Sequence, residues 1–211
     1  MTASYGGKEW QMIAVVGHAD VTSETLGLLE AELGALLERE PDGEPGVVRA
    51  GGGVAPAFAR AVRQAGRDLV VVIPTLGMVP ALLPERDRVP TGELLLLARQ
   101  VRLLTYDPGD RDACVRADEE IVAGCRRLVA VWDGSPSNGR DATAHLVAYA
   151  RSRGVPVEVV WPLGAGRTGL RVAARPDDDG RPPGDAPRPT ALPAAVGTPG
   201  TRGIREAGAA R

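Results

Sequence analysis

The sequence predicts an α/β protein with a Rossmann-like, doubly wound, mainly parallel sheet and helices on both faces. Apolar runs such as Leu69–Pro74 and Arg127–Asp133 are continuous rather than alternating, which is typical of strands buried on both faces. Segments with helical spacing of leucine and alanine separate these runs. A repeated strand–helix order favours parallel pairing through right-handed crossovers.

Each predicted strand and helix follows from a local sequence pattern. Short β-branched runs that end in turn residues indicate strands, and apolar positions three or four apart behind a capping residue indicate helices. The predicted strands are Met12–Val16, Val47–Ala50, Leu69–Pro74, Val101–Asp107, Arg127–Asp133 and Val155–Pro162. The predicted helices are one capped by Thr22 or Ser23, then Val54–Ala65, Gly92–Gln100, Asp110–Cys125, and one from Asn138 or Gly139 to about Arg153. Prolines argue against a regular helix through Thr75–Pro90, which is either a lid or an ordinary surface loop.

Composition excludes several classes of function. A formal net charge of −2 gives no general case for nucleic acid or membrane as a partner. No signal peptide and no long apolar span is evident, so we expect a cytoplasmic protein. Cys114 and Cys125 are expected on one helix, too far apart to bridge, and without a Cys/His cluster no metal site is predicted.

The sequence changes character after Trp161. Ala, Gly, Pro, Arg and Asp dominate this part, which lacks the apolar surface needed to offset the entropy of ordering. We therefore predict a folded domain over residues 1–163 and a disordered tail over 164–211, either passive or in contact with a partner.

Three strand ends that lead into helices predict a ligand site. Ligands bind outside the carboxyl ends of the strands in such sheets, glycine lets the backbone approach them, and helix N-termini favour anions. The expected ligand-binding residues follow these strand ends: Gly17, His18, Asp20, Gly51, Gly52, Gly53, Trp132, Asp133, Gly134, Asn138, Gly139 and Thr143.

Each of these residues also has a structural explanation. The three glycines can form a tight turn, and Asp133 can shape its loop as an Asx-turn instead of binding a ribose hydroxyl. His18 is expected on the rim, as a cap or a ligand contact. Trp132 can stack on a base or fill the core, and Thr143 can bond phosphate or its own helix. His145, inside a helix, is expected at the surface.

Known catalytic motifs are absent from the sequence. There is no GxGxxG, no P-loop and no GxSxG, and no carboxylate pair can be placed together from spacing alone. The catalytic residues therefore stay unassigned, and no cofactor is predicted.

The segments VVGHAD, Gly51–Gly53 and AVWDGSPSNGRDATAHLVAYARSRGVPVEVVWP together resemble the SLOG superfamily over Met12–Pro162. That superfamily contains the Rossmann-like domains of the Lonely Guy hydrolases and of the DNA-processing protein DprA. The chain is most similar to uncharacterised bacterial SLOG-type proteins with a VWDG…VVWP pattern. The resemblance implies a nucleotide-type ligand at the sheet rim and a possible homodimer.

The resemblance also implies a phosphate loop over Gly139–Thr143. The hydrolases carry PGGxGTxxE there, with Glu acting on the N-glycosidic bond. If Ala142-Thr143 takes the place of the Gly-Thr pair, Leu146 takes the place of that Glu. In a GGTAD-like alignment, Arg140-Asp141 replaces the glycine pair and His145 replaces the Asp.

The sequence and the resemblance together suggest three alternative functions. The first is binding or sensing of a nucleotide or nucleotide-derived molecule without hydrolysis. The second is a phosphoribohydrolase-like N-glycosidase in which Asp133, Asp20 or His18 replaces the lost Glu. The third is a DprA-like binder of single-stranded nucleic acid, against which the acidic body and the lack of a basic, aromatic surface argue.

Overall fold

The computed structural model describes residues 10–39, 43–138 and 141–168, which form a single sheet with helices on both sides. The strands are β1 Trp10–Gly17, β2 Gly46–Arg49, β3 Leu69–Leu76, β4 Val79–Pro80, β5 Gln100–Thr105, β6 Cys125–Val131 and β7 Val157–Val160. The helices are α1 Ser23–Arg39, α2 Ala55–Gln64, α3 Glu85–Leu97, α4 Arg111–Gly124 and α5 Thr143–Ser152. Over the described ranges, no helix is both long and apolar enough to cross a membrane.

The sheet is parallel except for one short strand. Its parallel strands lie in the order β5-β3-β2-β1-β6-β7, and β4 pairs antiparallel with the end of β3. The chain moves outward from β1 to β5 on one side, then returns to place β6 and β7 on the other. The strand order therefore reverses between β1 and β6, which confirms the predicted doubly wound architecture.

Burial on both faces explains the continuous apolar strands. In β3, Leu69 and Val71 pack into the core beneath α1, α2 and α3, whereas Val70 and Val72 pack on the opposite face beneath α4 and α5. All four side chains are at most 3% exposed. Alternate side chains point to opposite faces, so only a strand that is apolar throughout satisfies both cores.

Two of the predicted helices, α3 and α4, have different boundaries in the structure. Helix α3 begins at Glu85, seven residues before the predicted start at Gly92, and contains Pro90, so only the last part of the proline-rich segment is helical. Pro90 lies in the second turn, where its missing N–H removes only one helical hydrogen bond. Cys125 starts β6 instead of ending a helix, although it and Cys114 are free thiols as expected.

Helix α5 begins at Thr143, later than predicted, because Asp141 shapes the chain just before it. The Asp141 carboxylate accepts hydrogen bonds from the Thr143 amide at 2.8 Å and the Thr143 hydroxyl at 2.6 Å. Asn138 stabilises the turn before Asp141, since its side-chain oxygen accepts a hydrogen bond from the Asp141 amide at 2.9 Å. Gly139, the other predicted helix start, lies outside the described residues.

The segment Leu163–Thr168, here named the C-terminal strap, folds back over the start of α1. The Gly166 amide donates to the Thr25 hydroxyl at 2.7 Å, and the Thr168 amide donates to the Asp20 carbonyl at 2.8 Å. The sequence prediction placed Gly164–Thr168 in the disordered tail. This part of the prediction is wrong, because hydrogen bonds between residues 141 or more positions apart leave no apolar pattern in the sequence. The rest of the predicted tail lies outside the described residues.

Candidate functional site

A buried cluster of charged side chains lies at the point where the strand order reverses. His18 follows β1, Asp133 follows β6, and Asp141 precedes α5. The His18 Nδ1 is hydrogen-bonded to Asp141, and its Nε2 lies 2.8 Å from Asp133 Oδ1. His18 is fully buried at 0% exposure, and the edge of its ring meets Trp161 with ring centroids 5.6 Å apart. His18, Asp133 and Asp141, with Arg167 and the more exposed Asp20, are named the charge cluster.

Arg167 of the C-terminal strap joins the three carboxylates of this cluster. Its guanidinium lies 2.8 Å from Asp20, 3.3 Å from Asp133 and 3.3 Å from Asp141. The same group donates to the Ser135 hydroxyl at 3.0 Å. Three carboxylates therefore share one arginine and one histidine, so an excess of negative charge remains in the cluster.

The cluster sets the protonation of its members. Burial lowers the pKa of His18, but the hydrogen bond to Asp141 and the charges of Asp141 and Asp133 outweigh burial and raise it above its usual value. Burial raises the pKa of Asp133, yet hydrogen bonds from Ser135 and the charge of His18 lower it to about 2. The same balance, dominated by His18 and Thr143, holds the pKa of Asp141 well below its usual range. These shifts favour the protonated imidazole of His18 and the ionised carboxylates of Asp133 and Asp141.

The rim cavity, a hollow of about 490 Å³, opens beside this cluster. It lies over the carboxyl ends of β1 and β2 and is walled by α3 and by the starts of α2, α4 and α5. Its lining comprises Val16, Gly17, Ala19, Arg49, Ala50, Gly51, Gly52, Gly53, Val54, Ala55, Leu83, Arg86, Asp87, Pro90, Pro108, Gly109, Arg111, Cys114, Val115, Asp118, Asp141, Ala142, Thr143 and Leu146. The volume is within the range of small-molecule sites, roughly 300–1,000 Å³.

The glycine turn forms one wall of the rim cavity. The Gly52 amide donates to the Asp87 carboxylate of α3 at 3.1 Å. Gly53 has φ +67°, and a Cβ there would lie 3.2 Å from Ala19 Cα. Both the backbone conformation and the close approach to Ala19 therefore require glycine at position 53.

An ion pair also lines the cavity. Arg49 Nε lies 2.6 Å from Asp118 Oδ1, and the two side chains are 29% and 18% exposed. Proximity to Asp118 raises the pKa of Arg49 despite burial, so the arginine stays charged. Arg86 and Arg111 add further positive charge to the lining.

The structure divides the residues predicted from sequence into two groups. Gly17, Gly51–Gly53 and Thr143 line the rim cavity. The remaining described ones lie outside its lining: His18, Asp20, Trp132, Asp133, Gly134 and Asn138.

His18 follows the carboxyl end of β1 at the rim of the sheet, as predicted, but its side chain is fully buried in the cluster. The strand end that carries it is covered by Arg167, which the sequence placed in the tail.

Several of the predicted residues have the structural roles that were the alternative to ligand binding. Asp133 forms an Asx-turn, since it accepts from the Ser135 amide at 2.9 Å. Trp132 packs against the core and donates from Nε1 to the Ser135 carbonyl at 2.7 Å. The Thr143 hydroxyl donates a hydrogen bond to the Asp141 carboxylate. His145 is at the surface as predicted, and its Nε2 lies 2.6 Å from Glu119.

Several residues of the site were not found from the sequence: Arg49, Asp87, Asp118, Asp141 and Arg167. The first three lie in a strand, a helix start and a mid-helix position where charged residues are ordinary. The role of Asp141 could have been predicted, because an aspartate two residues before a helix start is a typical capping group. Arg167 is 147 residues from its partner Asp20, and no local pattern encodes such a pair.

Comparison with known proteins supports the fold. No family model and no curated protein matches the sequence. Among solved structures, the chain is similar to DNA processing protein A (DprA) from Streptococcus pneumoniae, with TM-score 0.50 and 20% identity over 71% of this chain and 50% of that chain. It is also similar to the molybdenum cofactor carrier protein from Chlamydomonas reinhardtii, with TM-score 0.43 and 20% identity over 70% and 74% of the two chains.

The chain therefore shares the Rossmann-like fold of the DprA structure, which agrees with the fold that the sequence resemblance implied. The chain spans about half the length of the DprA structure that it matches, and at this identity the likeness concerns the fold alone.

Proposed function

We propose that this chain binds a nucleotide or a nucleotide-derived small molecule in the rim cavity and does not hydrolyse it. The observation that carries the proposal is the convergence on one cavity of the Gly51–Gly53 turn and the N-terminal end of α2, which no side chain caps. The first amides of a helix have no intrahelical partner, and their dipoles favour an anion. A phosphate group is the anion that such a wall fits best.

The other walls suit the rest of a nucleotide. Val54, Leu83, Val115 and Leu146 give an apolar lining that can cover the face of a base. The carboxylates of Asp87 and Asp118 accept hydrogen bonds, as the hydroxyls of a ribose require. Arg49 completes a mixed lining in which charged and apolar groups are both present.

The lining argues against hydrolysis of the glycosidic bond. Leu146, at the position that the resemblance gives to the hydrolase Glu, lines the cavity with an apolar side chain that has no proton to transfer. Asp141 stays ionised because its pKa is held well below its usual range, so it is a poor general acid. A general acid works best with a pKa near the operating pH.

Calorimetric titration of the full chain with a panel of ligands tests the proposal. The panel contains adenosine and guanosine monophosphates and diphosphates, NAD and ADP-ribose. Gly52→Glu adds a carboxylate to the wall assigned to phosphate and should abolish the binding seen with the native chain. Gly27→Glu is the matched control, because Gly27 is an exposed helical glycine of α1 with open space around it.

Two results would contradict the proposal. A panel without any binding removes the nucleotide site, and binding that survives Gly52→Glu moves it away from the glycine turn. Chromatography of the titrated samples completes the test, since release of free base from a monophosphate would contradict the absence of hydrolysis.

A further inference from the structure

The C-terminal strap contacts the segment that supports the glycine turn. The Thr168 amide and hydroxyl donate to the Asp20 carbonyl at 2.8 Å and 2.7 Å, and Arg167 Nε lies 2.8 Å from the Asp20 carboxylate. Ala19, the residue before Asp20, lines the rim cavity. Gly53 packs against this part of the backbone, since an added Cβ at position 53 would lie 3.2 Å from Ala19 Cα. The strap therefore holds the backbone on which the glycine turn rests.

A second connection between the strap and the rim cavity runs through Asp141. Arg167 Nη2 lies 3.3 Å from Asp141 Oδ2. The other oxygen of the same carboxylate accepts hydrogen bonds from the Thr143 amide at 2.8 Å and from the Thr143 hydroxyl at 2.6 Å. Asp141 and Thr143 both line the rim cavity. Arg167 thus also holds the group that shapes the start of α5, a separate part of the cavity lining.

The guanidinium of Arg167 is suited to make both connections at once. Its side chain is 6% exposed, and its nitrogens are divided among Asp20, Asp133 and Asp141. A planar guanidinium offers five N–H donors in a fixed arrangement, whereas a lysine ammonium is a compact point charge. Arg167 itself is not part of the cavity lining, so it acts on the cavity only through Asp20 and Asp141.

Polar contacts, and not an apolar anchor, hold the strap in place. The Gly166 carbonyl accepts from the Thr22 amide at 3.1 Å and from the Thr25 hydroxyl at 2.9 Å. Leu163, the largest apolar side chain of the strap, is fully exposed. A segment with few buried apolar contacts can open locally while the core of the domain stays folded. Release of the strap therefore does not require the sheet to unfold.

We propose that the strap and the rim cavity are coupled: the docked strap positions two parts of the cavity lining through Arg167, and a ligand in the cavity holds the strap in place. The second half of this proposal rests on the proposed function, because it requires a ligand in the rim cavity. Coupling between two sites is reciprocal, so a ligand that binds better to the strap-docked form favours docking by the same factor. Arg167 is then a positioning residue of the binding site, and release of the strap lowers the affinity for the ligand.

Limited digestion of the full chain with trypsin reports release of the strap. Trypsin cleaves after arginine, and it reaches the Arg167–Thr168 bond only when the buried Arg167 side chain leaves the charge cluster. When opening and closing are fast, the cleavage rate follows the population of the open form. Asp20→Ala removes one partner of Arg167 without altering the cavity lining, and should raise the cleavage rate about two- to fivefold. Glu30→Ala is the matched control, because this partly exposed carboxylate pairs with Arg60 of α2 and not with the strap, and the rate should stay unchanged.

Amide hydrogen exchange in the same variants reports the order of the cavity lining. The Thr143 and Gly52 amides each donate one hydrogen bond to a carboxylate, at 2.8 Å and 3.1 Å. In Asp20→Ala both amides should exchange faster, by about the same factor as the cleavage rate. Leu36→Ala, a substitution in the core beneath α1, lowers the stability of the whole domain without touching the strap or the cavity. It should leave the exchange of both amides unchanged, because they exchange through local opening.

Three results of these measurements would overturn the coupling. Faster cleavage with unchanged exchange at both amides would mean that the strap is a cover that does not order the cavity. An unchanged cleavage rate in Asp20→Ala would mean that Arg167 does not hold the strap through this residue. Equal acceleration of both amides in Leu36→Ala would mean that the lining opens only when the whole domain unfolds.

Digestion with saturating ADP or ADP-ribose tests the part that involves a ligand. Either molecule, bound in the rim cavity, should slow cleavage after Arg167 at least about fivefold. Cleavage after the exposed Arg153 in the same digest should stay unchanged. If calorimetry shows binding and cleavage after Arg167 does not slow, the coupling is wrong while the proposed function stands. If neither molecule binds, the result counts against the proposed function, and the exchange measurements decide whether the strap orders the cavity.

Discussion

Replacement of Arg167 by methionine should strongly destabilise the protein. The Arg167 side chain is 6% exposed and holds Asp133 and Asp141, which are 13% and 9% exposed. Loss of one partner from a buried ion pair typically costs about 3–5 kcal/mol, because the remaining charge stays buried without compensation. Asp20 is 42% exposed, so water screens its ion pair with Arg167, and the loss of that pair should cost at most about 1 kcal/mol. The expected loss is therefore about 3–5 kcal/mol, mostly from the two buried aspartates.

Urea unfolding at neutral pH, followed by tryptophan fluorescence, measures this loss. Trp161 is a suitable reporter because its ring contacts His18 in the same cluster. Arg39→Met is the control, since Arg39 lies 3.8 Å from Glu158 with a side chain 70% exposed, and its loss should cost at most about 1 kcal/mol. If both variants lose about the same small amount, Arg167 does not neutralise the cluster and the reasoning fails.

Three further predictions concern the cluster and the glycine turn. Because the folded pKa of His18 is raised above its usual value, the stability that this residue contributes should be complete below about pH 6.5. It should be lost as pH rises through the folded pKa, by at most about 1.4 kcal/mol per pH unit. Unfolding at several pH values tests this, and an unchanged pH profile in His18→Gln would contradict it. Thr143→Val removes the hydroxyl bound to Asp141 and should cost about 1.5–3 kcal/mol in the same urea assay, so an unchanged midpoint would count against this bond. Gly53→Ala should cost about 1–3 kcal/mol from backbone strain, whereas Gly27→Ala should not destabilise, which thermal melting compares directly.

Truncation tests the corrected domain boundary. A chain ending after Leu163 lacks Arg167 and the strap bonds to Thr25, whereas one ending after Thr168 keeps them. We expect the shorter chain to melt at a clearly lower temperature. Equal melting temperatures would mean that the strap adds nothing to the stability of the domain.

The sheet and most helices could be predicted because each depends on a local pattern. Val129 belongs to an unbroken apolar run, and a strand buried on both faces is the simplest structure that explains such a run. Thr22 caps α1 as expected, since its hydroxyl accepts from the Thr25 amide at 3.2 Å. Periodicity and capping are properties of neighbouring residues, so they are legible without coordinates.

The site was only partly predictable, because it depends on contacts between distant segments. His18 and Asp141 are 123 residues apart, and only the adjacency of β1 and β6 brings them together. The strap that carries Arg167 has no apolar pattern to distinguish it from the residues that follow. The glycine turn was found because a run of glycines after a strand is itself a local signal.

The location of the ligand is the central claim, and amide chemical shifts measured by NMR during titration with a nucleoside monophosphate test it most directly. We expect the largest shifts at the amides of Gly51, Gly52 and Gly53, with smaller ones at Thr143, because these residues line the rim cavity. Shifts confined to the loop from Asp133 to Asn138, or no shifts at a saturating concentration, would contradict the account.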